Sequence, residues 1–264
     1  MMTLKTYVLF LFLCFASIIN AQNAPNKTDA SGKKQGHWIK LDDNKKKIYE
    51  GDFVDDYPVG KFTYFYDIGI PWSVTLFSAK GKVAYTKMYD AGGKLSAEGK
   101  YIDQKKDSVW NFYNPDGKII STDIYKMGVK NGNCKVFYPS GELAEEKMWK
   151  DGKLNGKVIK YFDNGQIKYS GQAINDKVEG KVTFYYANGI VQAEGLYLHD
   201  VKDGEWKFYK EDGKIKRTDT YRDGQDTHPE KRDINKDEIE KAKKQYENTE
   251  TQDPFKDGVQ QQPK

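Results

Sequence analysis

The residues of this chain best suited to acid–base, nucleophilic or metal chemistry are three histidines and two cysteines. His37, His199 and His228 are far apart in sequence, so no metal-ligand spacing and no acid–base pair emerges. The chain has no Gly-x-Ser-x-Gly elbow, P-loop or dinucleotide-binding glycine motif. Its aspartates cluster in turn-forming stretches, where carboxylates satisfy backbone donors. We therefore predict a protein that is not an enzyme and uses no cofactor or metal.

The elements that position these residues come from a 24-residue repeat. Ten places into each copy stands a glycine, except in the first copy, which has Lys45. The Asn188-Gly189 pair in the seventh copy is a strong hairpin signal because it favours positive φ. The eight copies start at Gly36, Gly60, Ala84, Ser108, Gly132, Gly156, Gly180 and Gly204. The step predicts an all-β fold, an elongated antiparallel β-meander of eight hairpins over residues 36–227.

Three columns of apolar residues run through the copies, numbered from the first residue of each. The third position carries three of the five tryptophans, and the sixth and eighteenth positions are mostly aromatic. An aliphatic column follows two residues after the turn glycine. A three-residue loop closed by that glycine would place the aliphatic column about 5 Å from the sixth position, on the neighbouring strand. The third and sixth positions lie on opposite faces, unless a bulge intervenes.

Copies two to four depart most from the pattern. Pro71-Trp72 follows the turn of the second copy, and we expect this proline to interrupt strand pairing. Ala84 and Ser108 replace the leading glycine. These departures indicate either a functional site or sequence drift.

The N-terminal 21 residues have the pattern of an export signal. Lys5 supplies a positive charge, residues 7–19 form an apolar run of 13 residues, and Ala21 offers a small residue for cleavage. Thirteen residues are too few to cross a bilayer. We expect cleavage after Ala21 and an exported protein, periplasmic or extracellular, without a membrane span. An uncleaved anchor is the alternative.

Cleavage at that point would leave Cys134 as the one cysteine, so no intrachain disulfide is expected. Cys134 takes the third position of its copy, where other copies carry Trp38 or Val158. We interpret it as a small apolar residue of a strand rather than a nucleophile.

The segments that flank the array carry weaker signals. Residues 22–35 are polar and are predicted to be a flexible lead-in. In the charged tail, 228–264, Asp233 could cap a helix over about 234–247, which could cover the edge of the last hairpin. Residues 251–264 are rich in Gln and Pro, and we expect them to be disordered.

The aromatic columns provide the candidate binding surface, and composition limits its partners. Charged residues make up 31% of the chain with both signs mixed, which argues against nucleic acid and against an anionic membrane surface. The first interpretation is an unidentified protein partner in the envelope or outside the cell. The alternative is a cell-envelope glycan, stacked on aromatic rows about 10 Å apart. The candidate residues are Tyr161, Tyr185, Tyr209, Tyr197, Trp149 and Trp206.

The string Tyr49-Glu50-Gly51-Asp52-Phe53, followed by Gly60, resembles the MORN repeat, and Glu194-Gly195-Leu196-Tyr197 is a partial echo. The whole array is similar to the variant MORN repeats of bacterial proteins called YwqK-family antitoxin components. That resemblance implies a hairpin-repeat fold. It also implies a third possible function, neutralisation of a toxin as an immunity protein.

Overall fold

The computed structural model describes residues 24–229, whose strands all belong to one 20-stranded antiparallel sheet. The predicted all-β hairpin-repeat fold is therefore confirmed. The export signal, the helix predicted at 234–247 and the tail lie outside the described residues. The strands are β1 Lys27–Thr28, β2 Lys34–Leu41, β3 Lys47–Val54, β4 Tyr57–Phe65, β5 Pro71–Ser78, β6 Val83–Tyr89, β7 Leu95–Ile102, β8 Lys105–Tyr113, β9 Ile119–Lys126, β10 Val129–Lys130, β11 Gly132–Phe137, β12 Leu143–Lys150, β13 Lys153–Tyr161, β14 Ile167–Ile174, β15 Lys177–Val178, β16 Gly180–Tyr185, β17 Val191–Leu198, β18 Val201–Tyr209, β19 Ile215–Arg222 and β20 Gln225–Asp226.

The sheet is a meander, in which strands pair with their neighbours along the chain. Two of its strands are interrupted: β10 and β11 both pair with β9, and β15 and β16 both pair with β14. Short loops force this order because each hairpin must return beside the strand that it has just left. The described sheet therefore has two long faces.

The loop inside each repeat has the predicted three-residue form. In the last repeat the Lys210 N–H donates to the Lys214 carbonyl at 2.9 Å, and the Gly213 N–H donates to the Lys210 carbonyl at 2.9 Å. Gly213 has a φ of +81°, which glycine adopts without steric cost. As predicted, the sixth position then pairs with the aliphatic column, with Tyr209 opposite Ile215.

The third and sixth positions lie on opposite faces, and a bulge is present as well, so both structures that the sequence left open occur. The ladder passes from Phe208 opposite Arg217 to Tyr209 opposite Ile215 and so skips one residue. Trp206 and Phe208 share one face, with ring centroids 6.2 Å apart. We name this side, with positions 3, 5, 14, 16 and 18, the ring face. The other side, with positions 2, 4, 6, 15 and 17, is the glutamate face.

A ring at the third position fills a space left by a glycine in the preceding repeat. Trp206 is 1% exposed, and a Cβ added to Gly195 would collide with its indole. Its ring centroid lies 5.4 Å from that of Tyr197 and 6.2 Å from that of Tyr221. The Lys202 Nζ lies 4.4 Å from the indole centroid. Such ring clusters, with their cation–π contacts, form the core of this single-layer sheet.

Tight turns and glycine bulges connect successive repeats. His199 and Asp200 both have positive φ, of 53° and 72°, in the two-residue turn that precedes the eighth repeat. This is a type I′ turn, whose twist matches that of a hairpin. The leading Gly204, at φ +65°, lies in a bulge where β18 gains two residues over β17.

The third repeat lacks that bulge because alanine replaces the leading glycine. Residues 73–78 and 83–88 pair without a register shift, and residues 79–82 form a longer loop between them. Ala84 is thus a regular strand residue, whereas Ser108, at the start of the fourth repeat, keeps a φ of +61°. Glycine is favoured at this position because the bulge needs left-handed backbone.

Pro71 does not interrupt pairing, so that prediction was wrong. Pro71 is the first residue of β5 and lies opposite Phe65, and the β4–β5 ladder continues to Gly60 opposite Phe77. The first residue of a strand is one of the places that proline tolerates in a sheet.

The predicted flexible lead-in instead covers the first edge of the sheet. The Asn26 side chain accepts a hydrogen bond from the Ile39 N–H at 2.7 Å and donates one to the Ile39 carbonyl at 3.0 Å. The Trp38 indole N–H donates to the Lys27 carbonyl at 3.1 Å. An asparagine side chain thus satisfies backbone groups that the edge strand would otherwise leave unpaired.

Candidate binding surfaces

The structure does not bring the six predicted surface residues together. The sixth-position residues Tyr161, Tyr185 and Tyr209 are half-buried on the glutamate face. The other three lie on the ring face. Trp206 is 1% exposed in the core, and Tyr197 and Trp149 are half-buried. A single surface made of all six residues is therefore excluded, and the two faces must be considered separately.

The glutamate face carries a regularity that the 24-residue reading overlooked. Its fifteenth position is glutamate in every second copy, at a step of 48 residues, whereas the copies between carry Val, Thr or Ser. Comparison of alternate copies would have found this signal in the sequence. The four residues are Glu50, Glu98, Glu146 and Glu194.

Glu194 shows how these carboxylates are held. The Tyr209 hydroxyl donates to its Oε1 at 2.7 Å, and the Lys181 Nζ lies 2.8 Å from its Oε2. These hydrogen bonds, first that of Lys181 and then that of Tyr209, hold the pKa of Glu194 below its ordinary value. The same bond raises the pKa of the Tyr209 hydroxyl. The carboxylate is therefore ionised and fixes a tyrosine ring of the next repeat.

The arrangement recurs two repeats earlier and again two repeats before that. The Tyr161 hydroxyl donates to Glu146 at 3.3 Å, and the Tyr113 hydroxyl donates to Glu98 at 2.6 Å. Burial and the Glu98 bond raise the pKa of Tyr113 to about 12. Because each bond joins one repeat to the next, these pairs stiffen the sheet and fix the rings on this face.

The glutamate face is concave where the repeats are irregular. A groove of about 590 Å³ runs across the second to fourth repeats. Three apolar residues in it are unusually exposed, Leu76 at 55%, Tyr85 at 56% and Val109 at 48%. Lys87 and Glu98, whose Nζ and Oε2 atoms are 3.8 Å apart, also line it. The groove thus combines apolar anchors with charges of both signs.

The histidines have separate partners. His37 lies 3.1 Å from Asp52, His199 lies 3.8 Å from Glu179, and His228 contacts Thr227. Within residues 24–229, no group of three or more His, Cys, Asp or Glu residues is arranged to hold a metal ion. The same residues include no helix long and apolar enough to cross a membrane.

Cys134 is buried in β11, at 6% exposure, as the apolar interpretation predicted. Its Sγ accepts a hydrogen bond from the Ile124 N–H at 3.4 Å. Burial raises the pKa of the thiol, so it remains protonated and poorly nucleophilic.

Comparison with protein families identifies part of the array. The family described as MORN repeat variant matches residues 130–151, 154–175, 178–199 and 202–223. These four tandem segments start 24 residues apart, the step found in the sequence and in the hairpins. Residues 130–223 are therefore a run of MORN-variant repeats, which makes this part of the molecule a repeat scaffold.

No curated protein matches the chain. Solved structures that resemble it do so remotely. A complex of the S. aureus TarM G117R mutant with fondaparinux, alpha-GlcNAc-glycerol and UDP is 13% identical, with a TM-score of 0.30, over 56% of this chain and 27% of that one. TarM itself is 12% identical, with a TM-score of 0.27, over 53% and 27%. The TcdB2-TccC3-Cdc42 complex is 10% identical, with a TM-score of 0.20, over 74% and 12%. The match therefore spans about a quarter or less of these chains.

Proposed function

We propose that this protein is an exported, non-catalytic repeat scaffold that binds a protein partner through the glutamate-face groove of repeats two to four. The observation that carries the proposal is the exposure of Leu76, Tyr85 and Val109 together in one concavity. Clustered exposed apolar side chains with a polar rim are typical of protein interfaces.

The charges around the groove suit an interface better than catalysis. Glu98 is shared between the Tyr113 hydroxyl and Lys87, so its oxygens already have partners. Lys100 pairs with Asp107 at 3.4 Å. Ion pairs at a rim contribute to specificity and to the rate of association. Export is proposed from residues 1–21 alone, on the basis of their charge and apolar run.

The chain offers a matched pair of variants to test this proposal. Leu76 and Leu196 take the same position of their repeats, at 55% and 48% exposure, but only Leu76 lines the groove. A partner is captured from envelope extracts with the full chain, purified, and its Kd measured. Leu76→Lys should weaken binding at least about 10-fold, as expected for a central interface residue. Leu196→Lys should leave it within about twofold. Failure to capture and reconstitute any partner, or equal loss in both variants, would overturn the proposal.

Two alternative functions are separable with the same preparations. Glycan stacking is favoured by one observation: Tyr161, Tyr185 and Tyr209 recur on one face, and glutamates fix the rings of Tyr161 and Tyr209. It requires saturable binding of an envelope polysaccharide that Tyr185→Ala abolishes. Toxin neutralisation, which the YwqK-family resemblance implies, is a special case of protein binding. It requires protection of cells that co-express a toxin encoded nearby, and absence of protection would exclude it.

A further inference from the structure

The ring face has a cleft at the third repeat, where its row of stacked rings is broken. The third position holds a ring in four repeats, at Trp38, Phe62, Trp110 and Trp206, but a threonine in the third repeat, Thr86. A cleft of about 370 Å³ lies at this point. Its lining includes Tyr64, Trp72, Phe77, Lys82, Met88 and Tyr101.

The walls of the cleft are rings that lack one neighbour. Phe53, at the eighteenth position of the first repeat, stands between two third-position rings, with centroids 6.1 Å from Trp38 and 5.2 Å from Phe62. The equivalent Phe77 contacts Phe62 at 5.1 Å on one side and has Thr86 on the other. Tyr101, the next residue of this column, contacts Trp110 at 4.8 Å on its far side. Phe77 and Tyr101 thus flank the position of a missing ring.

A lysine is also in place over the gap. In each repeat with a third-position tryptophan, the lysine four residues earlier lies over the indole, at 4.9 Å in the first repeat, 4.5 Å in the fourth and 4.4 Å in the eighth. Lys82 stands four residues before Thr86 and lines the cleft. A lysine ammonium is attracted to the face of an aromatic ring, most strongly to tryptophan.

Small residues keep the cleft open and set its depth. Tyr169, at position 14, contacts Phe184 at 5.1 Å and covers the region beside the third-position Val182. The position equivalent to Tyr169 is Ser73 in the second repeat, which cannot do so. The Thr75 hydroxyl lies 3.3 Å from that of Ser73 and 3.0 Å from that of Thr86. A guest ring must therefore lie above this hydroxyl floor, level with the aromatic walls.

We propose that this cleft binds an aromatic side chain, best a tryptophan, of a protein that docks on the ring face. The surroundings match those that the molecule builds for its own Trp110: an aromatic ring edge beside the indole and a lysine above it. The site lies on the opposite face from the groove. A scaffold with both sites can hold two partners, one on each face of the sheet.

The probe for this site is N-acetyl-tryptophanamide, titrated into the ¹⁵N-labelled full chain. We expect saturable amide shifts centred on residues 72–88 and 101–104, with a Kd on the order of 1 mM, as suits a single side chain. N-acetyl-leucinamide, at the same concentrations, should bind at least about 10-fold more weakly. Equal binding of the two amides, or shifts produced by a methyl glucoside instead, would overturn the assignment of an aromatic guest.

A double substitution gives the structural control. Thr75→Gly with Thr86→Trp rebuilds the glycine–tryptophan pair of the fourth and eighth repeats and fills the cleft from within. This variant should fold and lose binding of the probe, whereas Thr86→Val, which leaves the space empty, should retain it. Undiminished binding by the folded double variant would overturn the proposal. Should the double variant not fold, Lys82→Ala replaces it: a loss of at least about threefold in affinity supports the site, and unchanged affinity overturns it.

Discussion

The last two repeats and the second and third repeats follow the same 24-residue step but are packed differently. At the same pair of positions, the last two have Gly195 beneath Trp206, whereas the earlier pair has Thr75 beside Thr86. The last repeat starts with a bulge at Gly204, and the third with a flat ladder at Ala84. A buried ring closes the ring face in the first region, and its absence opens a cleft in the second. The step fixes the framework, and departures from it form the concave surfaces.

The largest expected difference between the two regions is the energy of the third position. Trp206→Ala should destabilise the last repeats by about 3–5 kcal/mol because it leaves a ring-sized cavity. Thr86→Ala should cost only about 1 kcal/mol, mainly for the hydrogen bond to Thr75 at 3.0 Å. Native-state hydrogen exchange suits the measurement because stability in a repeat array varies along the chain. Similar losses of protection around the two sites would contradict the comparison.

Much of this framework is readable in the sequence. Glycine at the tenth position and paired turn residues fix both loops, so the hairpins, the antiparallel order and the tyrosine–aliphatic register were predictable. The packing of Trp206 over Gly195 was not, because it joins different repeats and requires close approach of a ring to backbone. Asn26 was missed because one asparagine in a polar stretch gives no periodic signal.

The candidate site was less predictable than the fold. Counting aromatic residues selected Tyr161, Tyr185 and Tyr209 together with Trp206, since composition does not tell an exposed ring from one that forms the core. The groove and the cleft depend on the ladder at Ala84 and on what neighbouring repeats leave unfilled. The replacement of glycine by alanine was visible in the sequence, but its effect on the shape of both faces required coordinates.

The leading residue of a repeat gives a smaller and oppositely directed test. Gly204→Ala should destabilise the protein by about 1–2 kcal/mol because the backbone there has a φ of +65°, which penalises a Cβ. Ala84→Gly, in the flat ladder of the third repeat, should cost about 0.5–1 kcal/mol through backbone entropy alone. Urea unfolding of each variant measures the effect, and Gly204→Ser is a useful third variant because Ser108 tolerates this conformation. If Gly204→Ala were neutral, the bulge would not explain the difference between the regions.

The smallest effect concerns the glutamate face and depends on pH. Because the folded pKa of Glu194 is lowered, its stabilisation is complete above the unfolded pKa and is lost as pH falls through the folded value. The Tyr209 pKa is raised, so that contribution persists at low pH and is lost only as pH rises through the raised value. Glu194→Gln should therefore cost less than about 1 kcal/mol near neutrality, as for other partly exposed ion pairs. The difference from the unsubstituted protein should fade below the ordinary glutamate pKa of about 4.3.

Glu205→Gln is the matched control for this measurement. Glu205 pairs with Lys207 at 3.2 Å, but its side chain is 60% exposed, against 26% for Glu194. Solvent screens so exposed a pair, and its removal should change stability little at any pH. If both substitutions gave the same pH profile, the Tyr209 hydrogen bond would contribute nothing. The 48-residue row of glutamates would then be a pattern of surface charge rather than a set of links between repeats.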